Sequence, residues 1–514
     1  MKRLLLWLLL AALTLSLTAC GEWADEPQND LYQTLAEYYG AGKKEEEPQI
    51  LTSFALPYVS GETADPITCA DGAQRTLGTL LYEGLFTLDP TFQPQPMLAD
   101  TWTCDDTCRS YTITLRRNVR FSDGSDLTGR DVVYSLKRAM TSERYGARLA
   151  DVSSVSADGN TVTIKLKTGN ASFLTRLDVP IIKNGTGGRT FPIGTGPYYY
   201  CNDETGIHLA RHENWWQHRP MPLQRVELVK CKDSDTMSYA FYAREIQLLM
   251  CDLTATDTSN VYGSGSYTDA ATTIMHYIGI NTGSRAVNNA AVRRALQLGI
   301  DRQGCIDAFF LGHAQAAQSP LSPASDLYPH SLDVPYSPDN FDTAMAEAGY
   351  ADGGTVKLTM IVNRENSFKV DAAKRIAADL SHHDLQITVK VLSWDKYLAA
   401  LSSGAFDLYY GECRLTADWD LRSLIGTGGA LNYGGYSNAE TDALMGQLLL
   451  ADESQRSAAM LALCQQLQQE APILPLFFKN VSVLLPSDVV GPITPTAANP
   501  FYDLAQWDIE IEWN

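Results

Sequence analysis

Apolar and polar residues alternate at Tyr111, Ile113 and Leu115, and again at Val162, Ile164 and Leu166. A period of two turns one face of a segment toward a core, so residues 111–115 and 161–166 are predicted strands. Asp158-Gly159-Asn160 supplies the turn before the second. Between them the period changes. Residues 131–140 carry Val132, Val133, Leu136 and Ala139 at helical spacing, with Asp126 and Thr128 as start signals. The same reading puts strands at 50–59, 198–200 and 407–410. It puts helices at 74–85, 290–300, 397–401 and 440–470. Two strand–helix–strand units are expected, one over 226–230, 234–244 and 246–250, the other over 356–362, 368–380 and 387–392. Strands alternating with helices predict an α/β fold. No repeat of 20–50 residues is evident.

The opening segment follows another pattern. Lys2 and Arg3 precede an apolar run over residues 4–17, which exits through Leu17-Thr18-Ala19 to Cys20-Gly21. The run is short against the roughly 20 residues of a bilayer crossing, and a basic start with a small-residue exit marks a bacterial secretion signal. A cysteine at that exit is the lipobox pattern. Residues 1–19 are the expected signal peptide. Cys20 is the expected lipid attachment point, holding the chain on the outer face of the cytoplasmic membrane. Residues 20–47 are polar and acidic and are expected to be a tether, with a short helix at 31–39.

The 514 residues exceed what one core supports, so at least two lobes follow. A formal charge of −20 works against binding nucleic acid. Of ten cysteines, lipidation of Cys20 leaves an odd number. Cys104 and Cys108 flank a hairpin turn and are candidates for a local disulfide. Cys231 and Cys251 meet if their strands are parallel neighbours, and are otherwise two buried thiols. With no Cys-x2-Cys pair, a structural metal is not expected.

Enzyme signatures are weak. There is no Gly-x-Ser-x-Gly elbow. Gly40-Ala41-Gly42-Lys43-Lys44 lacks the residues of a phosphate loop. Gly194-Thr195-Gly196-Pro197 reads as a tight turn. His208, His212 and Glu213 are candidate metal ligands for a secreted hydrolase, but an extended backbone would splay them. His382-His383 are adjacent and poorly placed to chelate one ion.

An ordered set of motifs spans the chain: Leu81-Tyr82-Glu83-Gly84-Leu85-Phe86, Leu98-Ala99-Asp100-Thr101-Trp102, Asn118-Val119-Arg120-Phe121-Ser122-Asp123-Gly124, Ile193-Gly194-Thr195-Gly196-Pro197-Tyr198 and Asn214-Trp215-Trp216. Val292-Arg293-Arg294-Ala295-Leu296, Gly435-Tyr436-Ser437-Asn438 and Pro472-Ile473-Leu474-Pro475-Leu476 follow. Together these resemble the family 5 extracellular solute-binding proteins, the oligopeptide- and dipeptide-binding components of ABC importers. The resemblance implies a two-lobed periplasmic-binding-protein-like fold of the large peptide-binding type. Its first lobe would comprise 48–77, 191–274 and 478–514, its inserted domain 78–190, and its other lobe 275–477. It implies a monomer without cofactor that captures a short peptide, or another small solute, for a permease and its ATPases. Relatives of this fold also take nickel chelates, haem, oligosaccharides or opines. A ligand sensor without a permease is a further class.

In peptide-binding relatives a buried Asp pairs with the ligand's ammonium group. By resemblance Asp418 takes that role, within a candidate ligand region that also holds Gly411, Glu412, Cys413 and Arg414. Trp394 resembles the aromatic flanking a side-chain pocket. The residues leave alternatives. Asp418 could cap a helix over 421–425, Trp394 could be core, and Arg414 could bind a ligand carboxylate or neutralise Glu412 or Asp418.

Overall fold

Two strands longer than any marked by the sequence pattern organise the structure: Gly265–Ile280, of 16 residues, and Ile473–Pro486, of 14. The computed structural model describes residues 53–254, 265–350, 355–381, 385–486, 491 and 493–509. The signal peptide, Cys20, the tether with its short helix, and His382-His383 lie outside the described residues.

The two strands pair antiparallel from Gly265 opposite Pro486 to Gly279 opposite Ile473. At one end Ile278, Ile280, Leu474 and Leu476 enter one core, and at the other Val483 and Leu485 enter a second. Between the ends the ladder breaks. Thr272, Thr273 and Ile274 face Lys479 alone, because Ala271 pairs with Asn480 and Met275 with Phe478. Such a bulge leaves backbone groups to be satisfied from elsewhere. The Thr272 hydroxyl donates to the Lys479 carbonyl at 2.5 Å and accepts from the Ile274 N–H at 2.9 Å. The Thr273 carbonyl accepts from the Leu415 N–H at 2.9 Å.

Around the Pro486 end lies a four-stranded sheet in the order Ala55–Tyr58, Arg225–Lys230, Gly206–Arg211, Tyr198–Asp203, its first pair parallel. The helix Gly72–Leu81 shares the core of this sheet, where Leu77 and Leu80 meet Leu56, Tyr198 and Leu209. Asp71 caps it, accepting from the Gln74 N–H. The helix stops before residue 85 because Glu83-Gly84 pair with Pro180-Ile181 as short strands. Gln247 is structural: its Oε1 accepts from the Ala55 N–H at 2.6 Å.

A separate antiparallel sheet, ordered Ala99–Cys104, Ser110–Leu115, Thr161–Leu166, Val152–Asp158, packs with the helix Gly129–Met140 around Ile113, Val132 and Ile164. The Asp131 carboxylate accepts from the Thr128 N–H at 2.9 Å and closes the helix start. Cys104 and Cys108 stand with sulfurs 3.9 Å apart across the hairpin turn.

At the Ile473 end, Val356–Asn363 lies parallel to both Leu385–Leu392 and Leu408–Arg414, with the helix Ser367–Leu380 between the first two in sequence. This is the second expected strand–helix–strand unit. The first expected unit is not formed. Arg225–Lys230 joins the four-stranded sheet, whereas Leu249–Cys251 pairs with Ile473–Pro486. After the helix Ser234–Tyr242, Arg244 takes a left-handed turn (φ 60°) that redirects the chain. Cys231 and Cys251 are accordingly both free thiols. The long helix expected over 440–470 is two, Ala439–Leu450 and Glu453–Glu470, because Asp452 starts the second by accepting from the Gln455 N–H.

Two glycines let the neighbouring strands Gly265–Ile280 and Leu408–Arg414 approach with rings on top. A Cβ on Gly279 would stand 2.0 Å from the Tyr409 ring, and one on Gly411 would stand 2.4 Å from the Tyr277 ring. Gly279→Ala must displace a buried tyrosine. It is expected to cost about 1–3 kcal/mol, read as a lowered denaturant midpoint; an unchanged midpoint would show that the ring has room to move.

Candidate functional site

The bulge in the long strand pair is also the floor of the principal cavity. Thr272, Thr273 and Ile274 line a cleft of about 1310 Å³. Its walls come from three parts of the fold, with no contribution from residues 275–412. The helix Gly72–Leu81 and the segment 495–505 form one side, residues 84–97 and 144–148 a second, and residues 413–424 a third. The second wall touches the third directly, where Phe92 packs edge-to-face on Trp419 at 5.3 Å. Nearby the Ala171 N–H donates to the Leu449 carbonyl at 2.7 Å.

Ionic contacts fasten the same junction. Arg176 is 5% exposed and reaches Asp418 Oδ2 at 2.7 Å and Asp420 Oδ2 at 3.0 Å. The Asn170 side-chain amide donates to the same Asp418 oxygen at 2.6 Å. Arg422 bridges Asp420 at 2.7 Å and Asp151 at 3.0 Å. The contacts to Asp418 all fall on Oδ2, while its Oδ1 is buried without a hydrogen-bond partner among the described residues; stripping such a carboxylate of its cation is costly.

The carboxylates lining the cleft are each engaged. Asp178 pairs with Arg148, Asp252 with Lys479, and Asp503 with Arg219. Asp89 accepts from Thr91, Gln93 and Gln95. Glu83 has no cation, only neutral donors: Trp215 and Trp216 at 3.0 and 3.1 Å on Oε1, and Thr195 at 2.7 Å on Oε2. Burial pushes its carboxyl from 4.5 up to about 7, against the pull of hydrogen bonds from Trp216, Thr195 and Trp215.

The residues singled out from the sequence separate here. Cys413 and Arg414 line the cleft. Gly411, expected at the ligand, instead makes room for Tyr277. The Glu412 carboxylate lies 2.7 Å from Lys369 and 3.3 Å from His276, in an ion cluster of its own. Trp394 opens the helix Trp394–Ser403, half exposed and stacked on Tyr397, away from the cavity lining. Asp418 is buried beside the cleft, and Arg176 already supplies its countercharge. It caps no helix: the short helix Arg422–Ile425 starts after Leu421, and Asp420 accepts from the Arg422 N–H. Missing from the sequence reading were Arg75 and Arg144 as cleft residues, and Glu83 as more than part of a motif.

The candidate metal ligands do not converge. His212 is bound to the Gly196 carbonyl, Glu213 to Arg211, and His208 to the Gly206 carbonyl. Asp269, His313 and Ser482 superficially suggest a hydrolytic triad. However, the serine and the carboxylate both approach the same ring nitrogen, Nδ1, at 3.4 and 3.0 Å. A working triad holds them on opposite nitrogens.

The sequence profile of the bacterial extracellular solute-binding proteins, family 5 Middle, matches residues 93–422. The chain belongs to this family. Among relatives of this solute-binding protein, the glutathione-binding protein GsiB of Salmonella choleraesuis (strain SC-B67) is 26% identical over 82% of this chain and 87% of its own length. The oligopeptide-binding protein AppA of Bacillus subtilis is 24% identical over 82% of this chain and 85% of its own. The solved structure of HbpA2 from Haemophilus parasuis superposes with a TM-score of 0.76 at 19% identity, covering 89% of this chain and 100% of that one. The two-lobed α/β fold expected from the motifs is therefore that of this solute-binding protein. No helix among its described residues is long and apolar enough to cross a membrane.

Glu83 gives the solute-binding protein a pH signature. Its folded carboxyl binds a proton more tightly than the unfolded one, so the stability it contributes is present below about pH 4.5 and lost as pH rises through about 7. Glu83→Gln removes that loss. The variant should gain on the parent between pH 5 and pH 8, by up to about 3 kcal/mol, in denaturant melts at the two pH values. Any fixed effect of the amide drops out of the difference, and parallel pH profiles would rule the effect out.

Proposed function

We propose that this chain is the cargo receptor of an ABC importer, closing two lobes on a short peptide outside the cytoplasmic membrane and presenting the closed form to a permease. The observation that carries this reading is the cleft itself: about 1310 Å³, walled by three parts of the fold and floored by the bulge where two strands pass between cores. That exceeds the roughly 300–1,000 Å³ of most small-molecule sites and suits an extended guest. In this reading the bulge serves as the hinge, in keeping with lobe boundaries expected near residues 274 and 478. One strand edge also favours a peptide. Val356–Asn363 pairs with Leu408–Arg414 only as far as Tyr409. Beyond it, backbone near Cys413 and Arg414 can pair with an extended ligand as an added strand. Glutathione- and oligopeptide-binding relatives support the same cargo class.

In this reading the chain performs no chemistry, and the energy comes from the permease's ATPases. Acyl chains on Cys20 keep the monomer beside its permease, since one chain alone binds a membrane only marginally. Calorimetry against pools of free short peptides should show saturable binding. Binding of a sugar or a nickel chelate, with no response to any peptide pool, would refute the peptide assignment. Labelled palmitate should enter the parent protein, while Cys20→Ser should stay unlabelled and be released to the medium; equal labelling of both would remove the anchor.

A further inference from the structure

Once the cleft's charges are paired off, Arg75, Arg144 and Arg414 are left. All three line the cavity. They come from different walls: Arg75 from the helix Gly72–Leu81, Arg144 from the segment after the helix Gly129–Met140, and Arg414 from the end of the strand Leu408–Arg414. Among the described residues none of them has a carboxylate partner, although Arg148, Arg176 and Arg219 in the same lining do. Arg144 has a face contact, its guanidinium 5.1 Å from the Tyr145 ring centre. The carboxylates that attract Arg414, Glu412 and Asp252, pair with Lys369 and Lys479, and Asp418 pairs with Arg176.

We propose that the cargo carries clustered carboxylates, and that Arg75, Arg144 and Arg414 grip them from opposite sides of the cleft, so that the anion is the group that closes the lobes. Guanidinium forks match carboxylates in a bidentate way, and do so best where water is thinned out. The protein as a whole carries −20 and repels anions, so three unanswered cations in one cleft form a local exception. They also act on one another. Burial first, then repulsion from Arg144 and Arg75, pull the pKa of Arg414 below its ordinary value; burial and Arg144 do the same to Arg75. In an empty closed cleft that repulsion favours opening. A bound anion reverses its sign, which is the differential affinity for the closed state that closure requires. The buried Arg176–Asp418 pair points the same way, because the carboxylate suited to a ligand ammonium is already neutralised.

This proposal rests on the solute-binding reading, but not on the cargo being a peptide. The test is calorimetry on the full chain in detergent with three probes: the tripeptide Ala-Glu-Glu, its amide counterpart Ala-Gln-Gln, and citrate. Ala-Glu-Glu should bind at least about tenfold more tightly than Ala-Gln-Gln, since charged hydrogen bonds are worth about 1.5–3 kcal/mol each. That ratio should fall toward one in the Arg75→Gln/Arg414→Gln double variant and recover in part with Arg414→Lys. Circular dichroism checks that the variants fold, and Arg144→Gln is read the same way should the double variant fail to fold. Equal affinity for the two peptides, or a ratio unchanged in the variants, overturns the arginine site and leaves peptide capture standing. Citrate binding that the double variant loses, with neither peptide bound, keeps the arginine site and removes the peptide. Binding of none of the three overturns the proposal.

Discussion

The antiparallel pairing of Gly265–Ile280 with Ile473–Pro486, interrupted by bulges, is the constraint on which the rest of this structure depends. Backbone donors and acceptors inside a protein must be paired, so a strand pair crossing from one core to another cannot simply be cut and rejoined. What it can do is bulge. Here the ladder is irregular at Thr272–Ile274 opposite Lys479 and again between His276 and Tyr277, and at the first of these the Thr272 hydroxyl supplies bonds that the ladder gives up. The two ends remain anchored in different cores. Movement of one core against the other would bend the pair at these irregular stretches, the first of which floors the cleft.

The cleft walls follow from the same geometry. The second wall leans on the third through Phe92 against Trp419, and beside it Arg176 pairs with Asp418 and Asp420 and Arg422 with Asp151. These contacts mix an apolar plug with charges that need their partners. In the proposed reading these contacts favour closure, Arg75, Arg144 and Arg414 oppose it until an anion binds, and the cargo would decide the balance. Glu83 shows the same economy of charge, as a carboxylate held among neutral donors where a cation would have been expected.

Much of this was legible in the chain. Regular elements with clear periods, such as Thr161–Leu166 and Ser367–Leu380, stand where their patterns put them, because a half-buried strand or helix records its own environment. The ordered motifs revealed the family. What failed was whatever depended on partners far away in sequence. Ile473–Pro486 is buried on both faces and shows no alternation, so its length and its passage between cores were invisible. The strand–helix–strand unit expected over 226–250 came apart because its last strand found a better edge on Ile473–Pro486.

The candidate site divides along the same line. The sequence by itself determined the fold class and the family, since these depend on local pattern and on motifs in order, and it singled out Cys413 and Arg414, which line the cleft. Only the tertiary structure decided who answers whose charge. Arg176, 242 residues from Asp418 along the chain, neutralises it. Lys369 does the same for Glu412, and Gly411 is small for the sake of Tyr277. An electrostatic partner is chosen by distance in space, and no spacing along a sequence encodes that distance between walls that meet only after folding.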